Sequence, residues 1–145
     1  MRPFMMEANA FDSRALLGDW QWLLPPALKP LMVSAFGDWV LGAPDGSLWL
    51  LSMLEGSFEL IAADAAEFNT LKSDPAWFEE TFLAGWFDIA VGNGLEPSES
   101  ECLGWKVHPL IGGEFSVNNL QVFSLRLYVS LMGQLHRQLR PAAPR

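Results

Sequence analysis

The sequence predicts an α+β domain: an antiparallel meander sheet packed against a few helices, with a long C-terminal helix. Three observations predict it. Apolar runs of strand length separated by tight-turn residues fill the stretch from Phe36 to Ala62. Helical spacing behind capping acids takes over from Asp64. The 145 residues are 50% hydrophobic and 18% charged, which suits one folded domain and argues against disorder.

The elements follow in order. Residues 1–11 read as a flexible tail and 141–145 (Pro-Ala-Ala-Pro-Arg) as a frayed end, leaving one domain over 12–140. Asp12 or Ser13 caps a short helix running to Trp22, with Leu16, Leu17, Trp20 and Leu24 three or four apart. Pro25, Pro26 and Pro30 then interrupt regular structure. Phe36–Leu41, Ser47–Met53 and Phe58–Ala62 form the meander, joined through Ala43-Pro44-Asp45-Gly46 and Glu55-Gly56-Ser57. The unbroken apolar run Leu48–Leu51 suits a strand covered on both faces, or one with a functional apolar face.

Asp64 caps a helix over Ala65–Ser73. Asp74-Pro75 starts a second, since proline at the first helical position has no N–H to leave unbonded. That helix is expected to continue to Gly92 or Gly94, apolar nearly all round, and so to be central or partly an interface. Leu95–Cys102 reads as a polar loop, Trp105–His108 as a short extended segment, and Gly112-Gly113 as a turn or bulge. Leu120–Ser124 is a strand and Leu125–Leu139 the final helix, with Arg137 and Arg140 at its electronegative end.

Charge divides the chain unevenly. Residues 1–54 carry a net of −2 and residues 102–145 a net of +4. Residues 55–101 hold 11 acids against Lys72 alone, a net of −10. The overall −8 argues against a nucleic-acid binder, because phosphate contacts need Lys and Arg. The acidic segment is either a solvated face or a surface for a basic partner. One cysteine excludes an internal disulfide and a multi-thiolate zinc site. No window has the length and apolarity of a membrane span, and Met1–Asp12 lacks a signal-peptide core, so the reading is cytoplasmic.

No active site is legible. Cys102 and His108 are six residues apart across a loop, which does not establish a nucleophile–base pair. His108, Glu114 and His136 lack metal-ligand spacing. Gly112-Gly113 precedes Glu114 without a phosphate-loop pattern, and neighbouring acids such as Glu79 and Glu80 diverge around a helix. No catalytic residue, cofactor or metal is assigned.

Four segments carry a resemblance: Ala35-Phe36-Gly37-Asp38-Trp39, Asp45-Gly46-Ser47-Leu48-Trp49, Cys102–Phe115 with its Gly-Gly-Glu, and Asn119–Val122 leading into Gly133-Gln134-Leu135-His136. Together they resemble the C-terminal domain of type VI secretion immunity proteins that neutralise DNase toxins, over about residues 12–140. The resemblance implies a non-enzymatic protein that binds a cognate toxin, a nuclease effector, by protein–protein contact, with no direct hold on nucleic acid or membrane. Known members carry a further domain ahead of this one, whereas about ten residues precede the first helix here. The toxin-binding surface is therefore carried over only in part.

The contact candidates are Asp38, Glu79, Glu80, Asp88, Glu96, Glu99 and Glu101, with Trp49 and Trp105 as anchors. Asp38 has two readings, as an acceptor for nearby backbone N–H groups or as an acid facing a partner. Gly37, Gly46, Gly112 and Gly113 read as structural. The alternative function is a standalone adaptor of the same fold with no toxin partner; self-association through the apolar helix is the corresponding homodimer reading.

Overall fold

A computed structural model describes residues 1–140 of the chain. The expectation for 141–145 lies outside the described residues. Five strands form one antiparallel sheet in sequence order: β1 (Met5–Glu7), β2 (Lys29–Ser34), β3 (Trp39–Gly42), β4 (Leu48–Leu51) and β5 (Phe58–Ala62). A two-stranded ribbon, β6 (Glu101–Trp105) with β7 (Leu120–Ser124), stands apart from it. The helices are α1 (Ser13–Leu16), α2 (Ala65–Lys72), α3 (Pro75–Phe82), α4 (Ala84–Gly92) and α5 (Leu125–Leu139). This is the α+β architecture expected.

Both faces of the sheet are covered, which accounts for the apolar run in β4. On one face Val33, Trp39, Leu41 and Leu51 pack with Leu16, Trp20 and the α5 residues Leu125, Tyr128, Val129 and Met132. On the other, Val40, Leu48 and Ala62 pack with Phe68 of α2 and Phe82 of α3. The alternation that one-sided burial would impose is absent because both sides carry apolar packing. A third cluster joins the ribbon to α4 through Leu103, Trp105, Leu120, Ala90 and Phe36.

The helix expected to run on from Asp74-Pro75 is two helices. Its start is as read: the Asp74 carboxylate accepts the Ala76 N–H at 3.0 Å, and proline opens the first turn. It breaks at Leu83, which takes a left-handed conformation (φ 57°, ψ 39°). That conformation costs an L-residue roughly 1–2 kcal/mol. The break lets Phe82 bury against the sheet while Ala90 buries against the ribbon. Two stripes aimed at two cores had read as one helix apolar all round.

Three further expectations are corrected. Residues 1–11 are not a tail: β1 pairs with β2, Met5 opposite Ser34, and Arg2 is buried with its guanidinium donating to the carbonyls of Val33 (3.0 Å) and Glu101 (3.1 Å). Pro30 does not end regular structure; it lies in β2 where the register against β3 shifts, and a bulge tolerates a residue without an N–H. The end of the loop expected over 95–102 belongs to β6, in register from Glu101↔Ser124 to Trp105↔Leu120. Short strands of this kind are selected by their partners rather than by their own alternation.

Candidate functional site

The turn between β4 and β5 is held at Met53 from three distant parts of the chain. Its N–H donates to Oδ1 of Asp38, from the β2–β3 turn, at 2.7 Å. Its carbonyl accepts from Nε2 of His136, on α5, at 2.7 Å and from Nε2 of His108 at 3.2 Å. The Leu110 N–H donates to Nδ1 of His108, so the His108 proton sits on Nε2 and the ring is a neutral donor. Burial pushes the His108 pKa down, and His136, edge-on at 5.1 Å between ring centroids, adds to this; the Met53 carbonyl opposes it. Gly56, in the same turn, has φ +66°, and a Cβ there would lie 2.2 Å from Nδ1 of His136. Only glycine lets the ring approach so closely.

On the far side of Asp38 a cleft of about 330 Å³ opens between the β4–β5 hairpin and α3. Asp38, Glu55, Glu59 and Glu80 line it with no Lys, Arg or His, and Leu50, Ile61, Trp77 and Leu83 supply apolar wall. Asp38 is only 7% exposed. Burial pushes its carboxyl up to about 7, the nearby Glu55 adding to the rise and the Met53 N–H opposing it. Backbone geometry brings the acids together: Glu59 lies opposite Leu50 in the β4–β5 register, and Glu80 lies on α3, the second helix after the sheet's last strand.

Two of the nine expected contact residues meet in this cleft and the others lie elsewhere. Asp38 and Glu80 line it. Glu79 turns back to accept the Gly85 N–H, bridging the break at Leu83. Glu101 accepts the Ser98 N–H at 2.8 Å, a bond that holds its carboxyl below the usual range. Asp88, Glu96 and Glu99 are exposed on α4 and the loop after it. Trp49 is half-buried on the opposite sheet face, stacked on Phe58 at 5.0 Å. Trp105 is not an exposed anchor: it is 4% exposed, among Phe36, Trp86 and Phe115. Glu55 and Glu59 escaped the sequence reading. Glu55 read as a turn residue, and the one available signal for Glu59 was an acid between apolar neighbours in a strand.

The Cys102–His108 pair does not form a nucleophile and base. Cys102 is buried in the core, burial pushes its thiol up, and both His108 nitrogens are engaged elsewhere. Among the described residues no group of three or more His, Cys, Asp or Glu could hold a metal ion, and no helix is long and apolar enough to cross a membrane.

Beside the cleft lies a loop of different chemistry. Leu110, Ile111 and Phe115 are 58%, 53% and 53% exposed. The loop beneath them is tied down. Asn119 bonds the N–H and carbonyl of Val107 (2.9 and 2.8 Å) and the carbonyl of Glu114 (2.9 Å). Gly113 is required there, since a Cβ would fall 1.7 Å from the Val107 carbonyl oxygen.

The fold is similar to that in the crystal structure of Atu4351 from Agrobacterium tumefaciens, with a TM-score of 0.59 at 17% identity. The likeness covers 90% of this chain, which spans 66% of that protein's length. No curated protein matches the chain. The family model described as "T6SS immunity protein Tdi1, C-terminal" matches residues 62–136, the stretch from the end of β5 through most of α5. The match takes in just over half of the sequence, and the chain belongs to this family of type VI secretion immunity protein C-terminal domains.

Proposed function

We propose that this protein is a cytoplasmic immunity protein that binds a cognate type VI effector and neutralises it by contact rather than by catalysis. Membership of the immunity family over residues 62–136 carries the reading. The toxin class follows from electrostatics. A nuclease must grip a polyanion and so presents basic groups around its active site. An inhibitor with 11 acids against one base between residues 55 and 101 complements such a surface and is drawn to it at long range. Asp88, Glu96 and Glu99, exposed on α4 and the loop beyond, act in this steering.

Co-expression with the toxin encoded beside this gene tests the reading. The expected result is restored growth and a complex that co-purifies, with the toxin's nuclease activity suppressed in proportion to the protein added. Unrelieved toxicity with no complex would sink it and leave the adaptor reading. A complex with a toxin that attacks no nucleic acid would keep the immunity role and remove the nuclease.

A further inference from the structure

We infer that the acidic cleft and the adjoining Leu110–Phe115 loop together form the toxin-docking surface, and that the cleft's occupant is an arginine or lysine side chain of the toxin flanked by apolar residues. The inference rests on the immunity reading above and specifies where and what that protein binds.

Four observations carry it. Like charges from Asp38, Glu55, Glu59 and Glu80 converge on one cleft whose lining contains no base. Such a lining repels an anion and favours a cation. The second is Asp38 itself. One carboxylate oxygen takes the Met53 N–H, while among the described residues the other has no hydrogen bond, and this side chain, more than nine-tenths buried, lines the cleft. A carboxylate oxygen that opens to a cavity is the complement of a donor delivered from outside.

The third observation is the wall. Leu50, Ile61 and Trp77 offer apolar surface along the cleft, which suits the aliphatic stem of a long cationic side chain and allows its charged end to lie against an aromatic ring. A bare divalent cation does not fit, because no three of the described acids are placed to hold a metal. The fourth is continuity. Glu55 lines this cleft and also the neighbouring pocket, whose lining includes Leu110 and Gly56. The exposed Leu110 therefore adjoins Glu55, and Ile111 and Phe115 are exposed on the same short loop. Asn119 holds the loop that displays them in place before any partner arrives, so docking costs little further ordering.

The test measures binding of the full chain to the purified effector encoded beside this gene, at low and high salt. The triple variant Glu55→Gln/Glu59→Gln/Glu80→Gln is expected to bind at least about tenfold more weakly, chiefly through faster dissociation. Leu110→Ser/Ile111→Ser is expected to lose affinity comparably. The comparison variant Asp88→Asn/Glu96→Gln/Glu99→Gln is expected to slow association at low salt and to match the wild type at high salt. None of the three cleft glutamate side chains makes a described hydrogen bond, so unchanged thermal melting will certify that the triple variant is folded. Wild-type binding with unaltered affinity in the triple variant would overturn this inference and leave the immunity role standing. Equal losses in the cleft and comparison variants would also overturn it, in favour of general charge. Failure of the wild type to bind would remove the immunity reading and the inference with it.

Discussion

Asp38 stands between two regions of opposite character. On one side is the clamp at Met53, where Asp38, His108 and His136 engage the backbone N–H and carbonyl of a single residue. On the other is the cleft, where Glu55, Glu59 and Glu80 meet without a cation. Both regions draw on residues far apart in the chain, and both lie at the β4–β5 hairpin. The clamp satisfies its polar groups internally and so belongs to folding. The cleft leaves its glutamates open to solvent, available for the docking role proposed for them.

Substitutions should separate the two. The largest effect is expected at the clamp. His136→Ala removes the donor to the Met53 carbonyl and opens a void beside the Trp20 ring, whose centroid lies 5.7 Å from that of His136. A loss of about 3 kcal/mol in unfolding free energy follows from the cavity and the loss of the shorter of the carbonyl's two hydrogen bonds, measurable by denaturant titration. A loss under about 0.5 kcal/mol would mean that the hairpin is held without the clamp.

Asp38→Asn probes the boundary. The amide oxygen still accepts the Met53 N–H, but the ionisable group is gone. The folded-state pKa of Asp38 lies near 7 against an ordinary 3.8, so the folded protein holds this proton more tightly than the unfolded chain. Its contribution to stability is present below pH 3.8 and is lost as pH rises toward 7. Relative to the wild type, the variant should therefore gain stability progressively across that window, by a few kcal/mol in all. Taking the difference between the two proteins removes His108, whose lowered pKa acts in the opposite direction, favouring the folded state above pH 6.5. Parallel stability–pH profiles would show that the Asp38 carboxyl is solvated.

The smallest effect on stability is expected in the cleft. The triple Glu55→Gln/Glu59→Gln/Glu80→Gln variant should melt within about 0.5 kcal/mol of the wild type, with a slight rise from relieved repulsion. A marked loss would make these acids structural and erase the contrast with the clamp.

Local interactions account for what was legible in the sequence. Asp64 and Asp74-Pro75 start α2 and α3 as read, each carboxylate capping N–H groups two or three residues on. The turn at Ala43–Gly46 closes with the Gly46 N–H on the Ala43 carbonyl at 2.9 Å, and α5 spans the expected Leu125–Leu139. The first of the two readings of Asp38, as a partner of backbone N–H groups, describes its bond to Met53. The same residue also faces the cleft, and no spacing rule brings it to Glu80.

What the sequence determined by itself was the class of fold, the chemistry of the capped ends and the family, because these rest on patterns within a few residues or on whole motifs. Tertiary structure alone decided the break at Leu83, the burial of Arg2 and Trp105, and the meeting of Asp38, Glu55, Glu59 and Glu80. Leu83 carries no helix-breaking side chain, and it breaks the helix because two separate cores claim the two halves. The central segment's −10 charge was visible from the start. Which acids would bond the chain's own backbone, as Glu79 and Glu101 do, and which would be left open in a cleft, was settled by packing.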